Sequence, residues 1–108
     1  MPAKYKFDYS CRYWDDLLKI AEWQIEQTSA IVAEHFRQDL AAQIALLKDM
    51  PRLFPTYELV PEYRKMVLND WNYVIFYRVI EEKKLIIVHR IYHTAQNYQT
   101  EVAKEGQF

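Results

Sequence analysis

Several side chains in the second half of the sequence could together bind and cleave a phosphodiester. Arginine stays charged at physiological pH and can bind two phosphate oxygens at once, and histidine exchanges a proton near neutrality. With a tyrosine, such groups could remove a 2′-hydroxyl proton, stabilise charge on phosphorus and protonate the leaving 5′-oxygen without a metal ion. The residues of this group are Arg64, Arg78, Arg90, Tyr92, His93 and Tyr98.

The same residues also have a purely structural interpretation, in which the arginines lie on a sheet and form ion pairs. Arg90 and His93 are separated by an odd number of positions, so within one strand they point to opposite faces unless a bulge intervenes. The residues alone therefore favour the structural interpretation. The carboxylates available for such ion pairs are Glu58, Glu62, Glu81 and Glu82.

The sequence predicts neither a metal site nor a cofactor site. His89 and His93 are four residues apart, but in a strand this spacing separates them by roughly 13 Å, too far for one ion. The single cysteine, Cys11, excludes an intrachain disulfide and a zinc site built from cysteines. The single glycine, Gly106, excludes a glycine-rich phosphate loop, a dinucleotide-binding fingerprint and a serine nucleophile elbow.

Composition indicates one globular domain over residues 1–108. Apolar residues make up 51% of the chain and charged residues 27%, enough for both a core and a soluble surface. The formal net charge of −1 excludes a global field that attracts nucleic acid or anionic lipid. The first residues contain no apolar stretch of signal-peptide length, and the longest apolar run, residues 73–77, is far too short to span a membrane. We therefore expect a cytoplasmic protein without membrane contacts.

The N-terminal half predicts a strand followed by two antiparallel helices. Residues 4–9 alternate aromatic and polar side chains, which is the pattern of a half-buried strand. Ser10 is the predicted N-cap of the first helix, and Thr28 and Ser29 interrupt the helical pattern and offer a second N-cap. The apolar positions recur at helical spacing and are Trp14, Leu17, Leu18, Ala21 and Ile25, then Ala33, Phe36, Leu40, Ile44 and Leu47.

The C-terminal half predicts three strands after a loop. Residues 51–61 contain three of the four prolines, and β-branched and aromatic runs predict strands over residues 63–68, 73–80 and 85–92. Residues 99–108 are predicted to form a mobile tail. The order β-α-α-β-β-β predicts an α+β fold. In it, a helical hairpin packs on one face of a mainly antiparallel four-stranded sheet, and the other face stays partly open.

These features in this order resemble the RelE/ParE superfamily of toxins from bacterial type II toxin–antitoxin modules, or plasmid stabilisation systems. The resemblance covers residues 4–98 and agrees with the predicted element order. The matching segments are Ser10 with Asp16-Leu17, Leu47…Met50-Pro51…Phe54-Pro55, Tyr63-Arg64-Lys65, residues 73–79, and Ile86-Ile87-Val88…Arg90-Ile91-Tyr92-His93…Asn97-Tyr98.

The resemblance implies a growth-inhibiting toxin that a cognate antitoxin neutralises, and it leaves the activity open. RelE-like members are endoribonucleases that cut mRNA on the ribosome. Such an activity would here use His93 as general acid, Arg90 or Arg64 to stabilise the phosphate, and Tyr98. ParE-like members lack that set and inhibit DNA gyrase by binding. A third possibility is a degenerate toxin that binds its antitoxin and inhibits nothing.

Departures from the ribonuclease pattern favour the ParE-like activity. Positions where ribonuclease members carry catalytic arginine or tyrosine correspond here to Asn69, Val74 and Thr94. Ribonuclease members are strongly basic, as ribosome binding requires, whereas this chain is slightly acidic. Arg64 and Arg78 match arginines found across the superfamily, including members that are not nucleases. We therefore expect these two arginines to serve binding.

Aromatic residues on the helical layer predict an apolar groove that binds the antitoxin, beside the helices or at an open sheet edge. Tyr13, Trp23 and Trp71 are predicted to line this groove. Each of them could equally pack in the core or in a turn. The expected partners are thus a cognate antitoxin and either DNA gyrase or the ribosome with its mRNA, with no small-molecule cofactor.

Overall fold

The computed structural model describes residues 4–105 and confirms an α+β fold. The strands are β1 (Lys6–Tyr9), β2 (Thr56–Tyr57), β3 (Val60–Leu68), β4 (Tyr73–Ile80) and β5 (Leu85–His93). The helices are α1 (Cys11–Gln27), α2 (Ala30–Leu46) and α3 (Tyr98–Glu105), and a 3-10 turn at Glu81–Lys83 joins β4 to β5.

The five strands form one mixed sheet in the order β1-β5-β4-β3-β2. β1 is parallel to β5, and the other neighbouring strands are antiparallel. The predicted four-stranded sheet lacks β2, which lies within the segment predicted to be a loop. β2 has two residues and pairs with β3 across a register shift, so it is too short to produce an alternating sequence pattern.

Both predicted N-caps are confirmed. The Ser10 hydroxyl oxygen accepts a hydrogen bond from the Tyr13 main-chain N–H at 3.1 Å, and Ser29 accepts one from Val32 at 3.2 Å. The Ser10 hydroxyl also donates to the main-chain oxygen of His89 at 2.6 Å. This bond fixes the start of α1 to β5.

The helix pair packs on one face of the sheet and forms the larger core. The side chains of β4 point alternately to the helix pair and to the opposite side. Both sides are covered by other residues, so β4 is buried on both faces. The buried residues of the helix-pair side include Phe36, Leu40, Ile44 and Leu47 from the helical segment, with Met66, Ile75, Tyr77, Ile86 and Val88 from the strands.

α3 covers part of the opposite face of the sheet. Tyr98 and Val102 lie one helical turn apart and are buried with Tyr57 and Phe76. This packing explains why residues 99–105 form a helix instead of the predicted tail. Residues 106–108 lie outside the described part of the chain. The face predicted to be partly open is therefore more covered than expected.

A β-bulge interrupts the pairing of β4 with β5. Tyr77 pairs with Val88 while the preceding Phe76 pairs with Arg90, so His89 is the additional residue on β5. The ring of His89 stacks on Tyr63 of the α3-side cluster, with centroids 4.9 Å apart. The bulge thus directs a histidine, as well as the following arginine, toward the α3 side.

Candidate functional site

The predicted phosphodiester-cleaving residues do not converge on one point. Arg64 and Arg78 share a pocket, whereas Arg90 is bound by α1. Arg90 lies over the ring of Tyr92 on the α3 side, at 4.5 Å from the centroid. His93 contacts Tyr73 on the helix-pair side, with ring centroids 5.1 Å apart. The opposite orientation expected for Arg90 and His93 is confirmed, because the bulge precedes both residues.

The pocket that contains Arg64 and Arg78 has mixed charge. Its volume is about 280 Å³, and Glu62 and Glu81 are also among its lining residues. Arg64 Nη1 donates a hydrogen bond to the main-chain oxygen of Phe54 at 2.7 Å, which holds the loop before β2 against β3. The carboxylates offset the positive charge that a phosphate ligand would need.

Glu81 joins the segment before β1, the loop after α2 and the turn after β4. Its carboxylate accepts a hydrogen bond from the Tyr5 hydroxyl at 2.6 Å and pairs with Arg52 at 2.6 Å and Lys84 at 3.4 Å. The Tyr5 hydrogen bond, helped by these cations, lowers the pKa of Glu81 below its ordinary value. Arg52 also lines the mixed-charge pocket, where its partner Glu81 balances its charge.

Arg90 is held by a carboxylate of α1. Arg90 Nε lies 2.7 Å from Asp16 Oδ2, and Nη2 lies 3.1 Å from Oδ1. Asp16 Oδ2 also accepts the main-chain N–H of Ile91 at 3.0 Å. The two charged side chains are 14% and 13% exposed. The Nε–Nη2 edge of the guanidinium, one of the two edges that could bind a phosphate, is therefore occupied by Asp16.

His93 lies at the end of β5 beside α1. Its Nδ1 accepts a hydrogen bond from the Ala95 N–H at 3.0 Å, so the neutral imidazole carries its proton on Nε2. His93 and His89 lie on different sides of the sheet. Among residues 4–105, no three His, Cys, Asp or Glu side chains are close enough to hold a metal ion together.

Tyr98 has a basic partner that the sequence analysis missed. Lys65 Nζ donates to the Tyr98 hydroxyl at 2.9 Å and lies 5.2 Å from the centre of that ring and 5.8 Å from the centre of the Tyr57 ring. Burial, with the nearby Tyr98, raises the pKa of Tyr57 despite the lysine. Strand alternation could have indicated that Lys65 lies on the side of the sheet opposite Arg64, because the two residues are consecutive in β3.

The three residues predicted to line an antitoxin groove have different environments. Tyr13 is buried between Tyr9 and Trp14, and burial raises its pKa, so it belongs to the core. Trp71 donates from Nε1 to Asp39 Oδ2 at 2.8 Å and lines a cavity of about 460 Å³ beside α2. Trp23 is 54% exposed and lines a separate cavity with His93. Its role in binding an antitoxin stays a prediction.

The sequence matches the family model described as ParE toxin of type II toxin–antitoxin system, parDE, over residues 8–98. The chain belongs to this ParE toxin family. It is therefore the toxin component of a type II toxin–antitoxin system. No curated protein matches the sequence. Within residues 4–105, no helix of this ParE-family toxin has the length and apolar character needed to cross a membrane.

Solved structures share the fold at low sequence identity. The chromosomal ParDE system of P. aeruginosa contains a chain with 20% identity and a TM-score of 0.73, and the match covers 85% of this toxin and 98% of that chain. The isolated E. coli RelE toxin has 20% identity and a TM-score of 0.57, with 94% and 97% covered. The intact E. coli RelBE complex matches at 21% identity and a TM-score of 0.53, with 85% and 99% covered.

Proposed function

We propose that this ParE-family toxin inhibits growth by binding DNA gyrase in the cytoplasm, and that it does not cut RNA. The observation that carries the proposal is the Asp16–Arg90 pair, which neutralises the Arg90 charge and occupies the Nε–Nη2 edge of its guanidinium. His93, the proposed general acid, lies on the other side of the sheet from Tyr98. The net charge of −1 also supports a target other than ribosomal RNA.

A DNA supercoiling assay with purified gyrase tests this function. We expect the folded toxin to inhibit supercoiling and the heat-denatured toxin to have no effect. Programmed ribosomes treated with the same toxin should show intact mRNA by primer extension. Normal supercoiling at a large molar excess of toxin, or cleaved mRNA on the ribosomes, would contradict the proposal.

The alternative function is a RelE-like, ribosome-dependent mRNA endoribonuclease. One contact favours it: Lys65 Nζ lies 2.9 Å from the Tyr98 hydroxyl, and a cation at this position can assist proton transfer by the phenol. This function predicts that His93→Gln and Tyr98→Phe abolish growth arrest while circular dichroism shows an unchanged fold. Full toxicity of both variants would exclude it.

We also infer that a cognate antitoxin binds the toxin. Two solved relatives of the fold are an intact RelBE toxin–antitoxin complex and a RelE variant bound to an antitoxin peptide, RelBc. In this chain α1 exposes Trp14, Leu18 and Ile25 to 52%, 60% and 52%. Large exposed apolar side chains on one helix are typical of a surface that a partner covers.

Expression in cells tests the antitoxin proposal. The toxin alone should arrest growth, and co-expression of the short open reading frame next to its gene should restore growth and yield a co-purifying complex. Leu18→Glu should weaken that complex, because it places a charge on the apolar surface of α1. Normal growth with the toxin alone would instead support the degenerate module that inhibits nothing.

A further inference from the structure

A small apolar pocket lies where β5 ends against α1. Its volume is about 350 Å³, which lies within the usual range for ligand cavities. We call it the β5-end pocket, and it is lined by Lys19, Ile20, Trp23, Tyr73, His93 and Gln96. Because Trp23 is 54% exposed, a ligand could contact its indole without disturbing the core.

We propose that the β5-end pocket binds one bulky apolar side chain of the antitoxin, from a peptide segment that also places a carboxylate beside it. The inference rests on the proposed antitoxin partner and specifies where and how that partner is anchored. It is independent of whether gyrase or the ribosome is the target.

The edge of β5 beside the pocket is closed to strand addition. β1 pairs with β5 up to Tyr9 opposite Val88, so the later residues of β5 form a sheet edge. The N–H of Ile91 donates to Asp16 Oδ2 at 3.0 Å, and the N–H of His93 donates to Gln96 Oε1 at 2.8 Å. An incoming strand would find these donors already satisfied. These contacts disfavour strand addition and favour a partner that binds here through a side chain.

The polar groups around the pocket favour an acceptor ligand. Lys19 contributes an ammonium group, and His93 contributes Nε2–H, because its Nδ1 already accepts the Ala95 N–H. The Gln96 side-chain oxygen is occupied by the His93 main chain. Donors around an apolar cavity match a carboxylate next to an apolar side chain.

Small peptide analogues test the pocket without any assumption about toxicity. We would titrate the ¹⁵N-labelled toxin with N-acetylphenylalanine, its neutral carboxamide and adenosine monophosphate, and follow amide and indole N–H signals by NMR. We expect N-acetylphenylalanine to shift the Trp23 indole and His93 amide signals with a Kd of about 1 mM. The carboxamide should bind several-fold more weakly. No shift of these signals, or an equal shift with adenosine monophosphate, would overturn the proposal.

Two variants separate the apolar contact from the charge. Trp23→Ala should abolish binding of both phenylalanine compounds. Lys19→Gln should weaken binding of the carboxylate to the level of the carboxamide and leave the carboxamide unaffected. Trp14→Ala is the matched control, because Trp14 lies on the same helix and is 52% exposed but does not line the pocket. Equal losses in Trp14→Ala and Trp23→Ala would overturn the proposal.

Binding to the antitoxin itself completes the test. Trp23→Ala should weaken the affinity by more than about tenfold, as expected for an anchor side chain, and Trp14→Ala should weaken it less. Unchanged affinity in Trp23→Ala would overturn the anchor role, even if the small compounds bind. If Trp23→Ala loses affinity for the antitoxin but the unmodified toxin does not inhibit gyrase, the anchor role is supported and only the proposed target is contradicted.

Discussion

At the scale of single residues, the Asp16 carboxylate is held by three hydrogen bonds. It accepts hydrogen bonds from two guanidinium nitrogens of Arg90 and from the Ile91 N–H. A poorly exposed ion pair is stable only if hydrogen bonds compensate for the lost hydration of both charges. Here the bidentate geometry and the additional main-chain donor provide that compensation.

Asp16→Asn should lower the free energy of unfolding by about 3 kcal/mol, because it removes the negative charge that Asp16 places against the poorly exposed Arg90 guanidinium. Urea unfolding followed by circular dichroism measures the change. Glu34→Gln is the control, since it removes an exposed ion pair with Arg37 on α2 and should leave the urea midpoint unchanged. Equal effects of the two substitutions would show that the Asp16 pair contributes no more than a surface pair.

The sequence could not reveal this pair. Asp16 and Arg90 are 74 positions apart, and each has a polar side chain of a kind expected on a helix or strand surface. Strand alternation correctly placed Arg90 and His93 on opposite faces, because that inference needs only the local backbone. The partner of each residue depends on how α1 crosses β5, which no local pattern encodes.

At the scale of elements, the two helix N-caps can be compared directly. Ser10 and Ser29 both cap a helix, and the Ser10 hydroxyl also donates a hydrogen bond to the main-chain oxygen of His89 in the sheet. Ser29→Ala should therefore cost about 1 kcal/mol of stability and Ser10→Ala about 2 kcal/mol. Thermal and urea unfolding measure both, and equal costs would contradict a contribution from the His89 contact.

α3 depends on a narrow apolar contact. Val102 is fully buried on the sheet, so Val102→Asp should detach α3, because it would bury an unpaired carboxylate. Hydrogen exchange should rise over residues 98–105 and stay unchanged in α1 and α2. Gln99→Asp adds the same charge at an exposed position of α3 and should leave protection intact. Protected amides in Val102→Asp would show that the helix does not require this contact.

The elements that the sequence did not predict are those with little periodicity. α1 and α2 repeat apolar positions over several turns, and β3, β4 and β5 are runs rich in β-branched and aromatic residues. β2 has two residues, and α3 buries only Tyr98 and Val102 among its described side chains. The bulge at His89 is set by pairing with β4 and leaves no mark in the composition of β5.

At the scale of the whole molecule, burial of tyrosines predicts sensitivity to alkali. Burial raises the pKa of several tyrosines above the ordinary value of 10.0, so the fold binds the neutral phenols more tightly than the unfolded chain does. This stability is complete below pH 10 and is lost as the pH rises toward the raised values. The tyrosines are Tyr9, Tyr13, Tyr57, Tyr73 and Tyr77.

An alkaline titration followed by tyrosinate absorbance and circular dichroism measures this effect. We expect the buried phenols to ionise together with the loss of secondary structure. Tyr13→Phe should move the unfolding transition to higher pH. It removes a phenol that ionises more readily in the unfolded chain and so favours unfolding at high pH. Gradual ionisation above pH 10 with an intact fold would contradict the prediction.

The parallel pairing of β1 with β5 also determines when the molecule can be completed. Within residues 4–105, β1 is the first strand, and its parallel partner β5, which pairs through Leu85 to Val88, is the last. During translation, the nascent chain presents β1, α1 and α2 long before β5 leaves the ribosome. The apolar sides of the helices therefore stay exposed until the central strands of the sheet have been synthesised. Such delayed long-range pairing slows folding and prolongs the exposure of apolar surface that can aggregate.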